Sequence, residues 1–424
     1  MISKRNFVFI LLGVLVVSIA GSFLWFYLDI KSKLKEAKTV KSEALDIPET
    51  DTLPDGTIVH NDSLIAGKLD SLSKETDKIR AGLSGDRISI LITGVDSRLG
   101  VKSKRADANH LVNIWFDSAM VEIISIPRGS DAPDESHYIA NLRSIKGPEA
   151  YRRAVCKIAS IDTIDYHIEF GLSQAIGLIE LLGFKDNAVQ VLRTLRSRKV
   201  FGPGDYQRSY NQGQFIRQMI LKLAPYAEDM STEIMIRAGL MLLDTELEFS
   251  TVKEIISRLR KKGFPRSPRD VIVRLLPKVS HKLLQFNWAE KKGFDSLYKL
   301  IARRSNSLTG SEDSVRDRKL YSSARVSGIM KARLQGRIKD AKAMAGKNPK
   351  GVVSELETPF RQRAWYQVYD IETRLKIEKE ICTLLADAYD KTGRSADAAK
   401  VRKLYENDLK TVELLKMKER GKSK

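Results

Sequence analysis

Three runs of apolar residues between residues 88 and 126 predict the strands of a buried sheet. The runs are Ile88–Thr93, Leu111–Phe116 and Met120–Ile126, and the first is rich in β-branched residues and ends before Gly94. A short β-branched run that stops at a glycine is typical of a buried strand.

Helical patterns alternate with strand patterns over the next hundred residues. The pattern predicts helices at Gly147–Ile158, Leu172–Leu182 and Gln207–Leu223, and a strand at Thr163–Phe170. Glycine and proline mark several of these ends, as is common at helix termini. The alternation predicts an α/β fold in which helices flank a mixed sheet.

The longest apolar run lies near the N-terminus. Phe7–Leu28 holds 22 residues without a charge, about 33 Å of helix, which is enough to cross a bilayer core of about 30 Å. We expect a transmembrane helix at 7–28 with residues 1–6 in the cytoplasm, because the very short N-terminus favours that orientation while lysines on both sides leave the positive-inside rule undecided. A cleaved signal peptide is the alternative, but the apolar run continues past its only suitable small residues.

The rest of the chain divides by composition. Residues 29–83 are polar and turn-rich and are predicted to form a stalk, and residues 281–352 a helical and linker region. Residues 353–424 are predicted to be a helical C-terminal extension. Within it, Leu384–Tyr405 resembles one tetratricopeptide-like hairpin, although a terminal hairpin packed on its own domain explains the pattern as well.

Charge and composition exclude several classes of protein and indicate which partners the chain could bind. The 424 residues carry a net charge of +20 with 42% hydrophobic residues, which excludes a wholly disordered polyelectrolyte. Two cysteines exclude a zinc site with CxxC spacing. The basic excess suits anionic lipids and wall polymers. No nucleic acid is expected as a partner, because the sequence lacks a helix-turn-helix, zinc-finger or RRM-like motif.

Arginines and carboxylates follow the predicted strands and recur near residue 200. They are Asp96, Arg98, Arg105, Asp107, Arg128, Arg196, Arg198, Asp205 and Arg208, and the amide of Gln212 follows them. Ligands of α/β folds bind at strand ends, and the planar guanidinium matches phosphate oxygens. Convergent arginines indicate a dianion or a pyrophosphate, and carboxylates among them suit a hard cation such as Mg²⁺.

This pattern predicts phosphoryl transfer by positioning and charge neutralisation. The five histidines have no metal-ligand spacing, and no serine, cysteine or histidine stands in a nucleophile–base arrangement. The alternative is a purely structural role, in which neighbouring pairs such as Asp96 with Arg98, or Arg105 with Asp107, only form salt bridges.

In these motifs and their order, the chain resembles the LytR-CpsA-Psr (LCP) family of cell-envelope proteins. The resemblance covers roughly residues 84–280, the predicted LCP-like catalytic domain. It implies a single-pass cell-membrane protein with an extracytoplasmic domain that binds a polyprenyl-pyrophosphate-linked glycan and Mg²⁺. It also implies transfer of the glycan phosphate to a cell-wall or envelope acceptor hydroxyl, the activity of a phosphotransferase in cell-wall biogenesis.

The resemblance assigns roles residue by residue. Asp96 and Asp107 are the expected Mg²⁺ ligands, and Asp107, Arg105 and Asp205 the expected catalytic residues. Asp107 and Asp205 remain alternatives for taking the acceptor proton. The expected pyrophosphate-binding residues are Arg98, Arg105, Arg128, Arg196, Arg198, Arg208 and Gln212. The lipid tail would lie in an apolar tunnel lined by Ile168, Phe170, Leu178, Leu182, Phe215 and Ile216, each of which plain core packing explains as well.

The chain also departs from the family pattern. Gly129 stands where the family has an aspartate after Pro-Arg, Asn211 replaces the arginine of an Arg-Gln pair, and Tyr138 replaces a lysine. These changes leave two alternatives to a phosphotransferase. One is a non-catalytic envelope assembly or binding protein whose C-terminal helices bind a protein partner or a second copy. The other, which rests on the net charge of +20 and not on these changes, is a membrane-tethered transcriptional regulator.

Overall fold

The structure is a computed structural model that describes residues 76–97, 104–133, 136–184, 188–197, 204–278, 283–289 and 323–422. The predicted transmembrane helix at residues 7–28, most of the predicted stalk and part of the region 281–352 lie outside these residues. In the described part of the chain, no helix combines the length and apolar content that a bilayer crossing requires. The predicted domain boundaries stay predictions.

Six strands form one mixed sheet in the order β5-β4-β1-β2-β3-β6. The strands are β1 Arg87–Val95, β2 Ala106–Trp115, β3 Met120–Ser125, β4 Tyr166–Phe170, β5 Asp244–Thr245 and β6 Val271–Leu275. β1 is parallel to β4 and β3 is parallel to β6, while the other pairs are antiparallel. The predicted mixed α/β sheet is therefore confirmed, and the carboxyl ends of β1, β3, β4 and β6 share one edge.

β2 is longer than the sequence pattern predicts. Only its second half is an apolar run, but pairing with β1 begins at Ala106. Asn109 and His110 are buried although they are polar, with 0% and 2% exposure. A hydropathy pattern does not identify such a strand, because its buried polar side chains form hydrogen bonds with neighbours inside the fold. Asp107 consequently lies within β2, and Arg105 directly precedes the strand.

Helices cover both faces of the sheet and form the C-terminal region. They are α1 Ile139–Ile145, α2 Pro148–Ala159, α3 Leu172–Ile179, α4 Ala188–Arg196, α5 Asp205–Leu223, α6 Met230–Leu242, α7 Phe249–Lys261, α8 Ser323–Met344, α9 Pro349–Arg361, α10 Ile371–Lys391 and α11 Ser395–Lys422. A π-helical turn, Glu180–Phe184, extends α3 and contains Gly183, whose non-helical φ of +97° breaks the helix there. Such a positive φ favours glycine, as the sequence pattern predicted for this helix end.

Each sheet face has its own core. Leu91, Leu111 and Ile124 pack with residues of α1 and α2, including the fully buried Tyr151. On the other face, Val112 and Ile123 pack with residues of α5 and α7. The alternation of side chains along the strands divides the residues between these two cores.

The C-terminal helices form a further core and also contact α3. Trp365, which is fully buried, packs with residues of α8, α9, α10 and α11. Gln367 donates to the hydroxyl of Ser173 on α3 at 2.7 Å. A Cβ atom at Gly177 would lie 3.1 Å from the Tyr366 ring, so the two segments touch where α3 has no side chain. The C-terminal region is helical, as predicted, and it packs against α3.

Candidate functional site

Asp107 occupies a β-bulge at the edge where β1 ends and β2 begins. In the β1–β2 register, Gly94 faces Ala108 and Val95 faces Ala106, so Asp107 is the extra residue on β2. A bulge redirects a side chain and is common beside active sites. A Cβ at position 94 would lie 3.0 Å from the Ala108 Cβ, so glycine permits the close approach of the strands at this point.

Three arginines from different elements converge on Asp107. Arg128, just after β3, donates from Nη1 to Oδ1 at 2.7 Å. The Nη2 atom of Arg196, at the end of α4, lies 3.9 Å from Oδ2. Arg208 on α5 donates to the main-chain oxygen of Asp107 at 3.2 Å and is almost fully buried. The structure thus brings together four of the predicted site residues from segments up to 101 residues apart.

Asp96 and Arg105 form a second pair at the same edge. Nη2 of Arg105 lies 3.3 Å from Oδ2 of Asp96, and the main-chain N–H of Asp96 donates to the oxygen of Arg105 at 2.9 Å. The side chain of Arg105 is 41% exposed and that of Asp96 is 13% exposed. The guanidinium is therefore accessible from solvent, while the carboxylate is held inside the edge.

Asp205 begins α5 beside Arg208, whose Nη2 lies 3.2 Å from Oδ1 of Asp205. A carboxylate in the first turn of a helix is stabilised by the helix dipole. A Cβ atom at Gly129 would lie 3.8 Å from Oδ2 of Asp205. The position where the family has a second aspartate is therefore next to the Asp205 carboxylate, and glycine relieves the repulsion that two neighbouring carboxylates would suffer.

Gln212 lies on α5 with both ends of its amide held by the protein. Its Nε2 donates to the main-chain oxygen of Leu195 at 3.1 Å, and its Oε1 lies 3.3 Å from Nε2 of His110. The predicted contact of Gln212 with pyrophosphate stays a prediction. Arg98 and Arg198, which are also predicted site residues, lie outside the described residues.

Two largely buried charged residues beside this edge, Arg143 and Glu169, are not identifiable from the sequence pattern. Arg143 on α1 is hydrogen-bonded to Glu169 on β4, and its Nη1 donates to the main-chain oxygen of Lys104 at 3.1 Å. Arg143 thereby holds the residue that precedes Arg105. Its only sequence signal was an arginine in an unpredicted short helix, which is too weak to identify it.

His110 is a buried histidine on the sheet face that α5 covers. Its Nδ1 lies 3.0 Å from the Ser125 hydroxyl. Burial lowers the pKa of His110 to about 4, the Gln212 contact opposes this shift, and the positive charge of Arg208 adds to it. The imidazole is therefore neutral at pH 7 and serves as a hydrogen-bonding group.

Four of the six predicted tunnel residues belong to two apolar clusters, while Phe170 and Leu178 belong to neither. Ile168 and Ile216 pack against the core between the sheet and α5 and α7. Leu182 and Phe215 pack in a second cluster around Trp288, which is fully buried and lies edge-on to Phe215 at 6.3 Å between ring centroids. These side chains form ordinary packing contacts on both sides of α5.

The site offers two carboxylates for a cation, Asp96 and Asp107. Among the residues that the structure describes, no group of three or more His, Cys, Asp or Glu side chains is arranged to hold a metal ion. Magnesium, however, is commonly bound through one or two carboxylates together with phosphate oxygens. The donor set therefore fits a cation that a phosphate ligand helps to hold.

Comparison with known proteins confirms the family resemblance. The model of the LytR_cpsA_psr family matches residues 54–183, less than half of the chain. This match includes Asp96, Arg105, Asp107 and Arg128 and ends before Arg196. No curated protein matches the chain.

Solved structures similar to the chain have low identity to it. TagV from Bacillus subtilis is 16% identical, with a TM-score of 0.39, and the match covers 53% of this chain and 99% of TagV. A structure of TagT bound to LI-WTA is 16% identical with a TM-score of 0.34, over 52% of this chain and 90% of TagT. A transcriptional regulator from Enterococcus faecalis is 15% identical with a TM-score of 0.36, over 53% of this chain and 94% of that protein.

Proposed function

We propose that this chain, whose residues 54–183 match the LytR-CpsA-Psr model, is a membrane-anchored envelope phosphotransferase. It would move a glycan phosphate from a polyprenyl-pyrophosphate carrier to an envelope acceptor hydroxyl, with Mg²⁺ assistance. The chain would cross the cell membrane once, with its N-terminus inside and its main domain outside. The convergence of Arg128, Arg196 and Arg208 on Asp107 is the observation that carries the proposal.

The burial of these groups supports a phosphate ligand. Burying an arginine costs free energy unless oxygen atoms accept hydrogen bonds from its N–H groups. Arg208 is only 4% exposed. The side chains of Arg105 and Arg196 are 41% and 35% exposed, so a ligand can reach their guanidinium groups from solvent. Two accessible guanidinium groups beside buried ones form a cradle that suits a pyrophosphate.

The reaction needs one bond to form and one to break. The acceptor oxygen attacks the phosphorus that carries the glycan, and the bond from that phosphorus to the bridging oxygen breaks, so that polyprenyl phosphate leaves. The hydroxyl proton goes to Asp107 or Asp205, whose side chains are 15% and 28% exposed. Arginines stabilise the charge that develops on the phosphoryl oxygens.

Asp96 and Asp107 would hold the Mg²⁺ ion together with the pyrophosphate. When bound, the cation would neutralise phosphate charge and orient the phosphate groups. Arg105 and Arg128 keep the two carboxylates in place through contacts of 3.3 and 2.7 Å. The arginines at this edge would therefore both position the two carboxylates and bind the pyrophosphate.

Turnover by the full-length protein in detergent tests the proposal. The substrate is a polyprenyl-pyrophosphate-linked glycan with a cell-wall acceptor, and release of polyprenyl phosphate is measured. We expect D107N and R128A each to lower turnover by about 100-fold or more, because each removes part of a preorganised charge array. The matched control is R266A, which removes an arginine paired with Asp270 at the opposite end of the sheet. Unchanged turnover in both D107N and R128A would reject the proposal.

A non-catalytic envelope-binding protein is the second candidate, and Gly129 favours it because the family's aspartate is missing there. This protein would bind the pyrophosphate carrier without releasing polyprenyl phosphate. Binding that is lost in R128A, together with no turnover by the wild type under any metal condition, would support this candidate over the enzyme.

A further inference from the structure

The helix α5 lies unusually close to strand β3 at Gly213. A Cβ atom there would be 2.3 Å from the Ser125 hydroxyl and 2.9 Å from a methyl carbon of Val273. Glycine is required for this approach, because real Cβ atoms do not come so near to other heavy atoms. The approach places the neighbouring residue, Gln212, against His110 on β2.

The orientation of the Gln212 amide follows from its partner on α4. The main-chain oxygen of Leu195 can only accept a hydrogen bond, so the Nε2 group of Gln212 must face it. Oε1 of Gln212 then faces His110, and the imidazole must carry its proton on Nε2. In the neutral ring, Nδ1 accepts from the Ser125 hydroxyl. The contacts therefore define one tautomer of a buried neutral histidine.

Leu195 lies one residue before Arg196 in the last turn of α4. The final carbonyl groups of a helix have no partners within the helix and need donors from elsewhere. Gln212 supplies one such donor, and it does so from another helix. The next residue, Arg196, directs its guanidinium toward Oδ2 of Asp107 at 3.9 Å.

We propose that His110 is a positioning residue that sets Arg196 in the anion site through Gln212. His110 donates from Nε2 to Oε1 of Gln212 and so holds the amide in place. The other end of the amide holds the Leu195 oxygen, and this contact fixes the end of α4 and so the place of Arg196. The inference rests on the proposed function, because it gives Arg196 the role of a pyrophosphate ligand. Nothing in the sequence pattern assigned a role to His110.

Titration of the full-length protein in detergent with inorganic pyrophosphate and Mg²⁺ tests the inference. We expect H110L to weaken binding about fivefold, the effect of one lost hydrogen bond, and Q212L to weaken it at least as much. In the R196A background, H110L should change the affinity less than about twofold, because its effect acts through Arg196. The matched control is H167L, since His167 is a histidine buried on the opposite sheet face, where it lies 3.3 Å from Thr93. H167L should leave pyrophosphate affinity unchanged.

Hydrogen exchange separates this inference from the proposed function. The amide protons of the last turn of α4 should exchange faster in H110L and Q212L than in the wild type and H167L, whether or not an anion binds. Unchanged exchange in both variants, or an equal loss of affinity from H110L with and without Arg196, would overturn the inference. Absence of pyrophosphate binding by the wild type would reject the proposed function instead.

Discussion

Arg374 on α10 donates to both carboxylate oxygens of Glu180, at 3.0 and 2.9 Å, although 194 residues separate the two in the chain. Both side chains are largely buried, with 10% and 18% exposure. The pair connects the C-terminal helices to the turn that extends α3.

We expect R374M to lower the free energy of unfolding by about 3 kcal/mol, because it leaves the Glu180 carboxylate without its buried partner. The double variant R374M/E180M should recover much of this loss, since no unpaired charge remains. R361M is the matched control, because Arg361 pairs with Glu357 on the surface and its side chain is 71% exposed. Chemical denaturation measures all three. A loss in R361M as large as in R374M would contradict this account.

Glu378 should make stability depend on pH. Burial raises the pKa of Glu378 from 4.5 to about 9, and the neighbouring Asp408 carboxyl raises it further, while Arg363 and Arg374 oppose the shift. The folded protein therefore keeps a proton that the unfolded chain releases above its ordinary pKa. The resulting stability is present below about pH 4.5 and is lost as the pH rises toward 9.

E378Q should flatten this part of the pH profile, because glutamine keeps its shape without titrating. The measurement is the difference in unfolding free energy between E378Q and the wild type, determined from pH 4.5 to 9. E372Q, at a carboxylate in the first turn of α10, provides the control. A difference between E378Q and the wild type that does not change with pH would contradict the prediction.

G213A should destabilise the protein by about 1–3 kcal/mol, the usual cost of overpacking. The added methyl group would collide with the Ser125 hydroxyl and with Val273. S125A should recover part of the loss when it is combined with G213A, because it removes one of the two obstacles. At the exposed Gly336 on α8, a Cβ would meet nothing within 4 Å, so G336A should stabilise the helix by about 0.5–1 kcal/mol. Thermal unfolding of these variants tests whether close approach is the cause.

R143M should affect both folding and the site. It leaves Glu169 buried without its arginine and removes the donor to the Lys104 oxygen, so we expect a stability loss of about 3 kcal/mol. Pyrophosphate affinity should also fall, because Arg105 follows Lys104 directly. R152M is the control, since Arg152 pairs with Glu246 at 3.4 Å near the protein surface. An R143M protein with normal affinity would show that Lys104 is held in other ways.

The sequence predicted the parts of the fold that bury apolar side chains in a regular pattern. β1, β3, α2 and α5 fall where hydrophobic periodicity places them. The first half of β2 was not predicted. Its buried residues Asn109 and His110 form hydrogen bonds with segments distant in the sequence, and hydrophobic periodicity does not show such contacts. β6 was missed for a related reason, since its pairing with β3 joins residues about 150 positions apart.

The residues of the site were easier to identify than their arrangement. The arginine and aspartate motifs indicated an anion site, and the structure places Asp107, Arg128, Arg196 and Arg208 together. The bulge at Asp107 depends on how two strands pair, and the role of Arg143 depends on a contact with a main-chain oxygen. A one-dimensional pattern contains neither kind of information.

The contact between Tyr366 and Gly177 has a consequence for protein synthesis. The ribosome makes α3 long before it makes the aromatic and arginine side chains that cover it. At a rate of 5–20 residues per second, the 194 residues between the paired positions take roughly 10–40 s to translate. During this time α3 has an uncovered surface, so we expect truncation after β6 to yield a chain that aggregates or binds chaperones.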